Sequence, residues 1–152
     1  MGSGKSKLAR ELSRHLNLTM IDLDDAITER EGKSPAQLID ENGESYFRSI
    51  ESNVLRDLLQ TSAAAIISLG GGAWIEETNR KTIAEFSCIS VWLDAPFNVC
   101  WARIEDSNED RPLGRNRDQA LALYERRRPI YQLASIHVQN LEDLISELQT
   151  RI

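Results

Sequence analysis

The first residues of the chain match part of a pattern that binds phosphate. The pattern consists of Gly2, Ser3, Gly4, Lys5 and Ser6, followed at once by a stretch with helical periodicity. In such a loop the backbone N–H groups surround a phosphate, the lysine reaches the β and γ oxygens, and the serine hydroxyl binds Mg²⁺. The complete pattern needs a further glycine six positions before Lys5. The alternative is a flexible, tag-like start with no binding role.

Two carboxylates follow the first apolar, β-leaning run, residues 19–23. Asp22 and Asp24 are two positions apart, so on a strand both side chains would point to the same side. One carboxylate can hold Mg²⁺, often through water, and the other can accept a hydrogen bond from a substrate hydroxyl and take its proton. The alternative is helix capping, a role that we expect of Asp25.

Three glycines follow the apolar run 64–69 directly: Gly70, Gly71 and Gly72. Glycines let the backbone approach a ligand closely and offer N–H groups to it. A tight turn between a strand and a helix would need only one glycine. The triplet therefore favours a binding surface.

Two arginines on helical stretches are candidates for binding a carboxylate. Arg48 has Glu44 four residues before it and Glu51 three residues after it, so a surface ion pair is the alternative. Arg127 shares a helical face with Tyr124 and Tyr131, and its alternative is a solvated run of charge. A carboxylate is best bound by planar, two-pronged donors, which arginine provides and lysine does not.

The stretch 105–118 is polar and contains proline and glycine without an apolar period, so we expect a mobile loop there. Arg111 lies within it. A loop that closes over a phosphoryl donor excludes water and brings positive charge to the transferred group. The alternative is a plain surface loop.

Short apolar runs alternate with helical stretches along the whole chain. The runs span residues 19–23, 64–69, 88–93 and 136–138. Alternation of this kind predicts an α/β fold with a parallel sheet covered on both faces, and the unbroken apolar run 64–69 should lie inside that sheet. No strand precedes the phosphate-binding pattern, so we expect that the first strand is missing and that the sheet has four strands of five.

Composition excludes several classes of protein. The 152 residues suit one domain, and the net charge of −6 is opposite to that of a nucleic-acid-binding surface. Cys88 and Cys100 lack metal-ligand spacing and are expected to be buried, reduced core residues. No apolar run is long enough to cross a membrane, so we expect a cytoplasmic protein. A monomer is the default expectation.

Taken together, six segments resemble the shikimate kinase family in order and spacing over nearly the whole chain. They are residues 2–6, 22–24, 47–51, 68–72, 111–113 and 124–131. The resemblance implies a three-layer P-loop kinase fold in a single domain, 1–152, with a lid at about 105–118. It also implies ATP-dependent phosphorylation of the 3-hydroxyl of shikimate.

The resemblance assigns roles to the candidate residues. Lys5 and Ser6 would serve ATP and Mg²⁺, Asp22 would support the metal, and Asp24 would be the base that also binds substrate hydroxyls. Shikimate would be held by Arg48, Arg127, Gly70, Gly71 and Gly72, with both arginines on its carboxylate. Arg111 would be the lid arginine and Arg103 the adenine-stacking one. Lys7 stands where the family more often has threonine.

Two other functions fit part of the pattern. Another small-molecule kinase of the same fold, such as a gluconate kinase, would share the phosphate loop and the lid but need not carry Arg48 and Arg127 at these spacings. A kinase-like module that binds an aromatic-pathway metabolite without turnover is the second. Lys5, Asp24 and Arg111 count against such a module, and the shortened loop counts for it.

Overall fold

The structure is a computed structural model that describes residues 2–61, 65–107 and 116–151. Helices and short parallel strands alternate along the chain, which confirms the predicted α/β class. The residues group into two compact units. One unit comprises residues 9–88, and the other comprises residues 1–8 together with 89–152. Helix α1, Lys5–Leu16, contains the junction between the two.

The unit of residues 9–88 contains two parallel strands and four further helices. Its elements are β1 (Thr19–Asp22), α2 (Leu23–Glu31), α3 (Pro35–Asn42), α4 (Glu44–Thr61), β2 (Ala65–Ser68) and α5 (Glu77–Glu85). Strands β1 and β2 pair in a register that sets Thr19 beside Ala65 and Asp22 beside Ser68. The carboxyl ends of both strands therefore lie side by side.

The first strand is one residue shorter than the sequence predicted, and the difference changes the environment of Asp24. Asp22 keeps extended backbone angles (φ −91°, ψ 126°), and its side chain accepts a hydrogen bond from the Asp24 N–H at 3.0 Å. This capping bond starts α2 at Leu23. The prediction that Asp22 and Asp24 share one face of a strand is therefore wrong, and so is the prediction that Asp25 is the cap.

Helix α4 packs most of the core of this unit. Its buried positions are Phe47, Glu51, Val54 and Leu55, which follow the helical period. The core that they join also contains Leu23, Ile27, Leu38, Ala73 and Ile83. Leu23 and Ile27 are wholly inaccessible to solvent, and they come from the first turns of α2. Packing of α2 on this core therefore fixes the segment that carries Asp24.

The unit of residues 1–8 and 89–152 contains a second parallel pair. Its elements are β3 (Val91–Leu93), α6 (Phe97–Asp106), α7 (Arg117–Tyr131), β4 (Ile136–Val138) and α8 (Leu141–Arg151). Strand β3 pairs with β4, with Val91 beside Ile136 and Leu93 beside Val138. Helix α7 continues for two residues beyond Pro129 before it ends.

Three expectations about the strands and the cysteines are wrong in detail. The four strands form two parallel pairs and not one four-stranded sheet, and β2 pairs only with β1 among the described residues, so it is not an interior strand. No strand of the described residues pairs with both β2 and β3. Cys88 lies before β3 and is exposed, whereas Cys100 is buried on α6 as predicted.

The predicted loop 105–118 is also shorter at both ends. Helix α6 extends to Asp106, and α7 begins at Arg117 after an Asn116 cap whose side chain accepts hydrogen bonds from two backbone N–H groups. Between these helices, residues 108–115 lie outside the described part of the chain. None of the helices that the structure describes is long and apolar enough to span a membrane.

Replacement of Leu55 by alanine tests the core of residues 9–88. The side chain is 1% exposed, so Leu55→Ala should lower the free energy of unfolding by about 2–5 kcal/mol through lost burial and a residual cavity. Chemical denaturation measures this change. Leu133→Ala is the control, because Leu133 is 64% exposed and its truncation should change stability by less than about 1 kcal/mol. Equal losses in both variants would contradict the assignment of Leu55 to the core.

Candidate active site

The phosphate-binding pattern forms a glycine turn that leads into α1. Gly2 and Gly4 have φ values of 63° and 88°, which side-chain-bearing residues rarely adopt. A Cβ atom at Gly2 would also collide with the backbone carbonyl of Cys100. Helix α1 begins at Lys5, as predicted, and its first-turn N–H groups have no partner within the helix. The start of α1 therefore has the backbone geometry that binds anions.

Arg103 fixes this glycine turn from α6. Its guanidinium donates from Nη1 to the carbonyl oxygens of Gly2 at 3.2 Å and Ser3 at 2.6 Å. The same nitrogen lies 3.0 Å from the position that a Cβ at Gly4 would take. Both hydrogen bonds are to backbone carbonyls, so Arg103 fixes the path of the loop itself. Adenine stacking by Arg103 stays a prediction, and this contact with the loop was not foreseen.

In the unit of residues 9–88, Asp24 lies against the glycine triplet. A Cβ atom at Gly70 would be 3.3 Å from Oδ1 of Asp24 and 3.6 Å from Oδ2. Asp24 is half-buried in the first turn of α2, where the N-terminal end of the helix favours a negative charge. The Asp24 carboxylate therefore approaches a stretch of backbone without a side chain, and binding of one ligand by both stays a prediction.

Arg48 approaches the same glycine turn from α4. A Cβ atom at Gly72 would collide with the Arg48 guanidinium, so only glycine leaves room for it. Arg48 donates from Nη1 to Glu51 Oε1 at 2.7 Å and from Nη2 to Glu44 Oε1 at 3.3 Å. The ion pairs that were the alternative for Arg48 are present. They also hold its guanidinium at the glycines.

Glu51 is a site residue that the sequence indicated only as an ion-pair partner. It is 1% exposed, and burial raises its pKa above the usual 4.5 of a glutamate, although the Arg48 guanidinium acts in the opposite direction. Asp24 contributes to the same increase through like-charge repulsion. Glu51, Arg48 and Asp24 therefore form one electrostatic group beside Gly70 and Gly72.

Two polar side chains on α5 anchor the segment that follows the glycines. Asn79 is 1% exposed and donates to the Ala73 carbonyl at 2.9 Å. Arg80 donates to the carbonyls of Trp74 and Ile75, both at 2.7 Å. No sequence motif indicated either residue, because their partners are backbone atoms whose position depends on the fold.

Two side chains with oxygen atoms, Asp22 and Ser68, lie at the carboxyl ends of β1 and β2. Asp22 and Ser68 are register partners, and the Ser68 hydroxyl is buried with no hydrogen-bond partner in the described structure. A buried hydroxyl without a partner is unfavourable unless water, an ion or a ligand completes it. Within the described residues, no cluster of three or more His, Cys, Asp or Glu side chains is placed to hold a metal.

In the other unit, Arg127 lies on α7, one helical turn before Tyr131. Burial raises the pKa of the Tyr131 phenol, and the neighbouring Arg127 opposes that rise. Arg127, Tyr124 and Tyr131 line one small cavity of about 40 Å³, which confirms that they share a helical face. Arg111 lies outside the described residues.

A pH titration of stability tests the burial of Glu51. Because its folded-state pKa is above that of the unfolded chain, the folded state binds more protons between the two values, and stability from this group falls as pH rises through that window. Glu51→Gln cannot titrate. The stability of the wild-type protein minus that of Glu51→Gln should therefore decrease as the pH rises above the usual glutamate pKa of 4.5.

Glu44→Gln is the matched control for this titration, because Glu44 pairs with the same arginine but is 70% exposed. Its stability difference from the wild type should show no such decrease. An increase with pH for Glu51→Gln would mean that the attraction of Arg48 outweighs burial.

Comparison with known proteins identifies the family of this chain. The family model "Shikimate kinase" matches residues 1–152. The curated shikimate kinase of Cereibacter sphaeroides is 36% identical, and the match covers 100% of this chain and 76% of that protein. The curated shikimate kinase of Aquifex aeolicus is 37% identical, and the match covers 97% of this chain and 89% of that protein.

Solved structures give the same result. The crystal structure of the Aquifex aeolicus shikimate kinase has a TM-score of 0.82 at 37% identity, with 99% of this chain and 90% of that chain covered. The Acinetobacter baumannii shikimate kinase, solved in complex with shikimate, has a TM-score of 0.83 at 25% identity, with 99% and 87% covered. Sequence and fold agree over the whole length, and the chain belongs to the shikimate kinase family.

Proposed function

We propose that this chain transfers the γ-phosphate of ATP to a hydroxyl of shikimate. The observation that carries the proposal is the meeting of the Asp24 carboxylate and the Arg48 guanidinium at the glycines that follow β2. One group can take a proton from a hydroxyl and the other can bind a carboxylate, and shikimate offers both functional groups. Gluconate also has both, so the choice between them depends on family membership and is tested below.

Asp24 is the proposed base. Its carboxylate lies beside Gly70 with no side chain between them, so a substrate hydroxyl placed at the turn can donate a hydrogen bond to Asp24. As the hydroxyl oxygen attacks the γ-phosphorus, the bond from that phosphorus to the β–γ bridging oxygen breaks, ADP leaves, and the hydroxyl proton passes to the carboxylate. Asp24 lies in the first turn of α2, where the N-terminal end of the helix favours a negative charge.

Arg48 is the proposed ligand of the substrate carboxylate. Its guanidinium is half-buried and held by Glu51 and Glu44, so little orientational freedom is lost on binding. The backbone of Gly70 to Gly72 supplies further polar contacts at the same place. Arg127 stays a predicted second ligand of the carboxylate, on the basis of the family pattern.

The turn that precedes α1 is the proposed phosphate site. The N–H groups at the start of the helix would bind the phosphate oxygens, and Lys5 is exposed and able to reach them. Arg103 would preserve the shape of the turn through its bonds to Gly2 and Ser3. Arg111, as a lid arginine, remains a prediction from the family pattern.

The residues present fit a magnesium ion. Asp22 and Ser68 offer oxygen atoms at the ends of β1 and β2, and Mg²⁺ prefers oxygen ligands and retains several waters, so few protein donors are needed. Ser6 is assigned to the same ion by the family pattern. When bound, Mg²⁺ neutralises charge on the transferred phosphate. A single domain, a monomeric state and a cytoplasmic location stay predictions.

An assay of ADP release with Asp24→Asn tests the proposal. The wild type should turn over shikimate and not gluconate, and Asp24→Asn should lose roughly 10²–10⁴-fold in kcat with an ATP KM close to that of the wild type, because the amide cannot accept the proton. Asp25→Asn is the matched control, since Asp25 is adjacent and exposed. Retention of more than about a tenth of the turnover by Asp24→Asn would exclude an essential base.

The same assay excludes the alternatives. Turnover of gluconate in preference to shikimate would identify another small-molecule kinase. Calorimetric binding of shikimate without ADP release would identify a non-catalytic module.

Gly72→Ala tests the space that the glycine leaves for Arg48. The new methyl group displaces the Arg48 guanidinium and weakens its pair with the buried Glu51 carboxylate, so the melting temperature should also fall. The shikimate KM should rise roughly 10-fold or more, as expected when a charged hydrogen bond is lost, and the ATP KM should stay constant. Arg48→Lys serves as the benchmark. An unchanged shikimate KM in Gly72→Ala would show that the position of Arg48 is not needed for binding.

A further inference from the structure

Arg128 makes a two-pronged ion pair with Asp94, and the family resemblance assigns no role to this pair. Its Nη1 and Nη2 atoms donate to Oδ1 and Oδ2 of Asp94 at 2.9 Å and 3.1 Å. Asp94 is the first residue after β3, and its own N–H donates to the Val138 carbonyl at the end of β4. The ion pair therefore attaches α7 to the carboxyl ends of the second pair of strands.

Tyr124 and Trp92 extend this attachment. The Tyr124 hydroxyl accepts a hydrogen bond from Arg128 Nη1 at 2.9 Å and donates one to the Ala95 carbonyl at 3.0 Å. The Arg128 guanidinium also lies over the Trp92 ring, 5.1 Å from its centroid. We call Asp94, Arg128, Tyr124 and Trp92 the α7 anchor.

The α7 anchor also reaches a neighbour of Arg127. The ring centroids of Trp92 and Tyr131 are 6.3 Å apart, and Tyr131 lines the same small cavity as Arg127. Successive residues of a helix are about 100° apart around its axis, so a helix fixed at Arg128 has Arg127 at a fixed angle. The pair of Arg128 and Asp94 therefore sets the rotation of α7, and the contact between Trp92 and Tyr131 limits the space beside the Arg127 side chain.

We propose that the α7 anchor is a positioning device for Arg127, in which Arg128 and Asp94 orient the guanidinium that binds the substrate carboxylate. This inference rests on the proposed function, because Arg127 is assigned to shikimate there. Arg128 and Asp94 are 39% and 25% exposed, so their pair adds little to stability. Two parallel hydrogen bonds fix the direction of the guanidinium, so the role of this pair is to orient α7.

Kinetics of Asp94→Asn and Arg128→Lys test the device, with Arg127→Lys as the benchmark. Both anchor variants should raise the shikimate KM roughly 5- to 20-fold, with an ATP KM and a melting temperature close to those of the wild type. Arg126→Lys is the matched control, because Arg126 is the exposed neighbour in the same run of arginines, and its KM should not change.

A double variant separates positioning from a direct or a purely structural role. If the anchor acts through Arg127, Asp94→Asn should raise the KM by less than about 2-fold when it is added to Arg127→Lys, because the effects of coupled residues do not add. Full additivity of the two effects would overturn the inference. Equal increases in the shikimate and ATP KM, with a large loss of melting temperature, would also overturn it.

A structural readout does not depend on turnover. In a crystal structure of Asp94→Asn, the Arg127 guanidinium should be displaced relative to β3 and β4, and an undisplaced guanidinium would overturn the inference. Failure of the proposed function is distinguishable, because the wild type would then release no ADP with shikimate whatever the state of the anchor.

Discussion

The candidate substrate site depends on the absence of two side chains. Asp24 lies where a Cβ at Gly70 would be crowded, and Arg48 occupies the space that a Cβ at Gly72 would need. A side chain at Gly72 would force the Arg48 guanidinium to move. The glycines therefore do more than form a turn, since they let a carboxylate and a guanidinium reach the same stretch of backbone.

The surrounding fold supplies the supports that keep those two groups in place. Asp22 ends β1 and starts α2, so a single capping bond sets the distance of Asp24 from the strand. Burial of Leu23 and Ile27 holds α2 to the core, while the buried Glu51 holds Arg48. A buried carboxylate is costly unless it is paired, and Arg48 is its partner. Substrate recognition and core packing are therefore linked through one ion pair.

The second unit uses arginine in a different way. Arg103 and Arg128 both bind groups of the protein itself, the first through loop carbonyls and the second through Asp94. Such contacts fix the position of a loop and of a helix. The sequence offered Arg127 as a ligand of a substrate carboxylate, but for its neighbour Arg128 the carboxylate is that of Asp94 in the same chain.

Local chemistry explains what the sequence predicted well. The alternation of apolar runs and helical stretches indicated parallel strands, and the start of α1 at Lys5 followed from the glycine-rich pattern before it. The approach of Asp24 to the glycine triplet was also expected. Each of these predictions depends on residues that are close together in the chain, or on a motif whose residue types serve one function.

Tertiary structure decided the rest, because the deciding partners are far apart in the sequence. The sequence alone did not show whether the strand continues beyond Asp22 or whether Asp22 caps a helix. Burial of Leu23 in the core favours the helix. The exposure of Cys88 depends on where β3 begins. The pair of Asp94 and Arg128 joins residues 34 positions apart, and a run of three arginines does not show which one faces a carboxylate. Such contacts exist only once helices and strands have packed.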